Sequence, residues 1–129
     1  MWQFGDVREG LRQKMSLIFK ICDEAEWEAL ARTGRFAGSP DDLRDGFIHL
    51  SDASQVRATA ARHFAGRAGL MLLAVDAGRL GAELGWERSR GGARFPHLHG
   101  TLVREAVVWA MPLLLTANGE HLFPEEVAL

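Results

Sequence analysis

The chain has 129 residues, 47% of them apolar and 25% charged, with a formal net charge of −2 and an isoelectric point near 6.2. That length suits a single domain, and that apolar content excludes a disordered chain, which lacks residues to bury. The slightly acidic balance excludes a nucleic-acid binder held by bulk charge, and no apolar stretch approaches the roughly 20 residues that a membrane span needs.

Met1–Lys14 is mixed in character, with Asp6, Arg8, Glu9, Arg12 and Lys14, and has no signal-peptide core. It is expected to be an N-terminal extension, residues 1–14, before a single α+β domain at 15–129, and the protein is expected to be cytoplasmic. Met15 reads as a natural start, leading directly into a strand over Leu17–Ile21. The lone Cys22 cannot form an internal disulfide and is expected to pack as a small hydrophobe. Asp23 and Glu26 form a capping-box pattern for a helix that Gly34 ends.

Arg35–Asp45 has loop composition, with Gly38, Ser39, Pro40, Asp41 and Asp42. A second strand is predicted over Gly46–Leu50. Asp52 and Gln55 then start a helix carrying Val56 and Ala60, which stops at Gly66. Leu70–Val75 is continuously apolar and predicts a buried central strand. Leu84–Arg88 predicts a short strand, Arg94–Gly100 an irregular segment fixed by Pro96, and Ala106–Met111 a last strand ended by Pro112. Asn118-Gly119 signals a tight turn. The pattern predicts a split mixed or antiparallel sheet with two main helices to one side.

Two segments concentrate chemistry. In Gly46-Phe47-Ile48-His49-Leu50-Ser51, alternation puts Phe47, His49 and Ser51 on one face and Ile48 and Leu50 on the other. Either His49 and Ser51 face a site, or they are a packed histidine and a local cap. Arg94-Phe95-Pro96-His97-Leu98-His99-Gly100 sets two histidines at i and i+2, a spacing that suits a metal pair or donors to a phosphate or ribose. A third ligand would have to come from His49 or Glu87 without any fixed spacing, so no metal is assigned. Trp86-Glu87-Arg88 precedes that segment; by composition alone Glu87 reads as an ordinary exposed residue. Lys20 is a cation on a strand face shared with Ile18 and Cys22. His63 and His121 read as structural or solvated. Walker, Gly-x-Gly-x-x-Gly, His-Glu-x-x-His and Gly-x-Ser-x-Gly patterns do not occur.

The ordered set Ile-Phe-Lys-Ile, a Trp-containing helix, Gly-Phe-Ile-His-Leu-Ser, a buried strand ending in Asp76, Trp86-Glu87, and Phe-Pro-His-Leu-His-Gly resembles a bacterial family called domain of unknown function 952, from about Ser16 to Met111. The resemblance implies a compact ADP-ribosyltransferase-like fold, a superfamily that includes RNA 2′-phosphotransferases, with a cleft for NAD or an ADP-ribose-type nucleotide. It implies Glu87, His97 and His49 as catalytic residues and Lys20, Ser51 and His99 as ligand-binding residues; Trp86, beside Glu87, and Arg94, a cation after the Gly91-Gly92 break, are further candidate ligand-binding residues. Lys20 stands where the family pattern often has His, and His99 where it often has Tyr. No cofactor is assigned, and NAD enters as a substrate. The implied activity is that of a transferase or glycohydrolase. Three alternatives stay open: a nucleotide-binding module without turnover, a metal-assisted hydrolase using His49, His97 and His99, and a structural or partner-binding domain.

Overall fold

A computed structural model describes residues 16–89 and 91–127, so the predicted extension lies outside the described residues. The elements run β1 (Leu17–Asp23), α1 (Glu24–Thr33), β2 (Arg35–Phe36), α2 (Pro40–Asp45), β3 (Ile48–His49), α3 (Val56–His63), β4 (Leu70–Asp76), β5 (Leu84–Arg88), β6 (Arg94–Leu98), β7 (Leu102–Val103) and β8 (Val107–Leu113). They form an α+β fold with three small sheets of order β1-β4-β8, β2-β7 and β3-β6-β5, and every strand pair is antiparallel. Of the two expected arrangements, mixed or antiparallel, the sheets take the antiparallel one.

The fold is organised around β4, which is buried along all seven residues. Its two faces serve two apolar clusters. Leu73 and Val75 join Ile18, Cys22, Leu30, Ile48 and Leu98 on one side. Leu70, Leu72 and Ala74 join Phe19, Ile21, Val56 and Ala60 on the other. A fully buried Leu or Val contributes about 1.5–3 kcal/mol, so a strand apolar on both faces is the natural centre of the sheet. Since Leu30 belongs to the first cluster and Val56 and Ala60 to the second, α1 and α3 pack on opposite faces. The expectation of helices on one side fails, because periodicity gives each helix an apolar stripe but not the face it meets.

Helix α1 follows its sequence signals. The Asp23 carboxylate accepts the Glu26 N–H at 2.8 Å and Glu26 accepts the Asp23 N–H at 3.0 Å. Gly34, at φ 83°, closes the helix in the left-handed region open to glycine.

Two proline readings are corrected. Arg94–Leu98 is a regular strand, central in its sheet. Pro96 is tolerated there because its carbonyl accepts the Leu50 N–H at 3.1 Å. Its missing donor therefore faces the same side, where β3 is only two residues long. Pro112 lies within β8, an edge strand of its sheet, rather than ending it. The first and third sheets are tied by a bridge between Phe19 and Ser51, with hydrogen bonds of 2.7 and 2.9 Å. Among the described residues no helix is long and apolar enough to cross a membrane.

Candidate functional site

Residues opposite each other in antiparallel strands share a face. Across the third sheet, His49 stands opposite His97, Gly85 opposite His97, and Glu87 opposite Phe95. One face therefore carries His49, His97, Phe95 and Glu87. The other carries Ile48, Leu98 and Leu84, which pack into the first apolar cluster. Burial of that second face fixes the register and presents the chemistry-bearing face outward.

Phe47 is the hub of the exposed face. Its ring stacks on His97 with centroids 4.0 Å apart and planes 20° from parallel, and it lies 4.7 Å from His49 and 5.5 Å from His99. Gly46 precedes it with φ 86°, ending α2 and turning the chain into β3.

Two hydrogen-bonded networks orient the imidazoles. In the first, Glu87 Oε1 lies 2.8 Å from His97 Nδ1 and 2.9 Å from His99 Nε2, which is also 3.0 Å from Oε2. The hydrogen bond with His99 and then that with His97 hold the Glu87 carboxyl below the ordinary glutamate value. Gly85 leaves room for this: a Cβ there would meet Glu87 Oε2 at 3.2 Å.

The second network is built on Asp42. Its Oδ1 lies 2.6 Å from His49 Nδ1 and accepts the His49 backbone N–H at 3.0 Å. Its Oδ2 accepts from Lys20 Nζ at 2.8 Å and from the Ser39 N–H at 2.9 Å. Lys20 also donates to the His49 carbonyl at 3.2 Å. His49 Nε2 lies 2.9 Å from Asp45 Oδ2. Burial pushes the Asp42 carboxyl upward, but the His49 hydrogen bonds and the charge and hydrogen bond of Lys20 outweigh it and hold the group well below the ordinary carboxylate range. Asp45 is lowered too, first by its hydrogen bond from Arg44.

A cleft of about 310 Å³ opens beside the cluster, lined by Asp42, Gly46, Phe47, His99, Gly100 and Thr101 among others. Phe47, Asp42 and His99 are common to cleft and cluster. Glu87 and His97 stand outside the cleft lining.

The structure thus brings together His49, His97, His99 and Glu87, with Lys20 joined behind them through Asp42. Lys20 is buried and its ammonium is spent on Asp42 and a backbone carbonyl, so it supports the site from within rather than reaching a ligand. Ser51, also buried, pairs its hydroxyl with Thr59 at 3.1 Å on α3. It leaves the His49 face because β3 ends at His49 and the chain turns to bridge Phe19. Trp86 and Arg94 alternate with Glu87 and Phe95 and so fall on the opposite face; Arg94 donates to the Trp86 carbonyl at 3.3 Å. A three-histidine metal site is not supported, since both His49 nitrogens already face carboxylates. Among the described residues no group of three or more His, Cys, Asp or Glu is arranged to hold a metal ion. Cys22 is buried, and burial first, with the nearby Glu26 charge next, pushes its thiol up to about 12.

Sequence reasoning missed Asp42 and Asp45, and it set Phe47 on the face of His49 and Ser51 without assigning it to the site. The first two lie on α2, in a stretch read as loop. The signal was present: Ser39-Pro40-Asp41-Asp42 places an N-cap residue, a proline at the first helical position and acids in the first turn. Phe47 is two residues before His49, which puts it on the same strand face.

Residues 21–110 match the family described as Protein of unknown function (DUF952). The chain belongs to this family. The DUF952 match spans every member of both networks except Lys20, which stands one position before it. The X-ray structure of protein CC0527 from Caulobacter crescentus is similar to this chain at 51% identity and a TM-score of 0.82, covering 88% of this chain and 99% of that one. The solution NMR structure of CC0527 is similar at 54% identity and a TM-score of 0.74, covering 82% and 91%. No curated protein matches the chain.

Proposed function

We propose that the Phe47 cluster and the adjoining cleft bind an NAD or ADP-ribose-type nucleotide in a cytoplasmic protein, and that the site acts on it as an ADP-ribosyltransferase-like transferase or glycohydrolase. One observation carries this reading: three imidazoles surround a single aromatic ring, and the facing carboxylates orient them. A flat base or nicotinamide finds a stacking surface in Phe47. The ribose hydroxyls and phosphates find polar partners in His97 and His99.

The chemistry follows from charge. Cleavage of the bond between ribose and nicotinamide builds positive charge at the ribose. A carboxylate already ionised at the site favours that charge without reorganising during the reaction. Glu87 is such a group, held in its charged form by two imidazoles. His49, fixed by Asp42 and Asp45, shapes the wall beside it.

The test is thermal unfolding of the protein with NAD, ADP-ribose, other nucleotides and RNA ends carrying a 2′-phosphate. A specific ligand stabilises the folded state by RT ln(1 + [L]/Kd), about 2.7 kcal/mol at a hundredfold excess over Kd, and so raises the midpoint. A midpoint unmoved by every compound defeats the reading. Binding that survives Glu87→Ala with no turnover in the native protein identifies a binding module rather than an enzyme.

A further inference from the structure

We propose that Glu87 and His97 form the general-base pair of this site, with His97 Nε2 the atom that takes a proton from an acceptor hydroxyl, water or an alcohol. The reaction in which the proton is taken rests on the nucleotide reading above; the pair itself rests on geometry.

An ionised carboxylate can only accept hydrogen bonds. The nitrogen facing Glu87 at 2.8 Å is His97 Nδ1. That nitrogen therefore carries the ring proton, and a neutral His97 keeps its lone pair on Nε2. Nε2 makes no hydrogen bond to another described residue, yet no fully buried side-chain nitrogen or oxygen among the described residues lacks a partner. Nε2 is thus not fully buried, although the ring as a whole is.

The other two histidines fit the role less well. Both His49 nitrogens face carboxylates, at 2.6 and 2.9 Å, so it has no free lone pair. The His99 side chain is 45% exposed, against 9% for His97. A shielded, immobile ring is the better base, because its orientation is set before the substrate arrives. His97 is held by Glu87 from β5, by the Phe47 ring stacked on it, and by its β3 neighbour His49, with ring centroids 5.9 Å apart. The charged and titratable groups facing it are Glu87, His49 and, through the shared carboxylate, His99.

The acceptor oxygen bonds to the ribose C1′ carbon. The bond from C1′ to the nicotinamide nitrogen breaks, and its electron pair leaves with neutral nicotinamide. The acceptor proton passes to His97 Nε2, and Glu87 pairs the resulting imidazolium.

Imidazole nitrogen NMR at mildly alkaline pH reads the tautomer directly. The expected native spectrum has His97 protonated at Nδ1 and bare at Nε2. Glu87→Ala should release the ring to the Nε2–H form. Glu87→Gln, which keeps an acceptor oxygen, should retain the native tautomer and separates lost charge from lost positioning. Nicotinamide release from NAD should fall about 10²–10⁴-fold in His97→Gln, in kcat rather than KM. If native His97 carries its proton on Nε2, or on both nitrogens, or if Glu87→Ala leaves the tautomer unchanged, the base pair is overturned whatever the assay gives. If the tautomer is as expected but NAD releases no nicotinamide, the base pair stands and the nucleotide reaction falls.

Discussion

Lys20 Nζ and Asp42 Oδ2 meet at 2.8 Å with side chains only 5% and 1% exposed. The pair joins β1, inside the first apolar cluster, to α2, which flanks the cleft. The other oxygen of the same carboxylate positions His49. A single buried acid thus neutralises a core cation, ties a short helix to the sheet and orients an imidazole on the functional face.

That arrangement makes Asp42 the most sensitive position in the network. Asp42→Ala leaves a buried ammonium without its counter-charge, a change that costs about 3–5 kcal/mol. Native domains have only about 5–15 kcal/mol in total. Urea unfolding should show a large drop in midpoint at a nearly constant slope. Adding Lys20→Met to the same chain should restore part of the loss, since the uncompensated charge is gone. A loss below about 1 kcal/mol for Asp42→Ala would show that Lys20 is not held as described.

The same group sets an acid limit on stability. The Asp42 carboxyl is lowered from its ordinary 3.8, so the unfolded chain takes up a proton at higher pH than the folded one. Its contribution is complete above about pH 4 and is lost as pH falls through the lower folded value. Glu87, also lowered, acts in the same direction starting from its ordinary 4.5. The melting temperature should therefore fall increasingly steeply below about pH 4, and Asp42→Asn should flatten that limb. An identical acid limb in the variant would remove Asp42 as its source.

Cys22 offers a probe that is silent in the folded state. The thiolate is the reactive form, and burial has pushed the thiol up to about 12. A disulfide-exchange reagent at mildly alkaline pH should label the native protein only as fast as β1 opens, and unfolded protein at once. Labelling should accelerate with urea in step with the unfolding transition. Fast labelling without denaturant would contradict the packing of β1.

Local signals made much of this fold legible. Asp23, Glu26 and Gly34 define α1 because capping is settled within a turn of chain. The apolar run Leu70–Val75 marks the central strand because burial on both faces leaves no polar alternation. The two histidine-bearing segments were visible as sites of interest, but their meeting was not. It depends on β3 pairing with β6 across some 45 residues, and a two-residue strand carries almost no periodicity. The placement of Lys20 and Ser51 escapes the sequence for a related reason. Strand alternation gives a face, but only the fold shows that Lys20 looks inward at Asp42 and that Ser51 has left the strand. The ion pair of Lys20 with Asp42 joins positions 22 apart, with no local pattern to announce it.

Gly85→Ala separates positioning from folding. The backbone at Gly85 is not in the left-handed region, so alanine meets no backbone strain there. The added Cβ would sit 3.2 Å from Glu87 Oε2, a contact that the flexible end of the side chain relieves by moving a few tenths of an ångström. Stability should change by less than about 1 kcal/mol, within the range of ordinary surface substitutions or a little beyond. The displaced carboxylate, however, cannot keep both imidazole contacts at their present lengths, because Glu87 Oε1 serves His97 and His99 at once. Imidazole spectra should change at His97 and His99 while those of His49, held by Asp42 and Asp45, stay fixed. If all three change together, the two networks are one coupled unit through Phe47; if none changes, Glu87 has slack that the packing at Gly85 does not suggest.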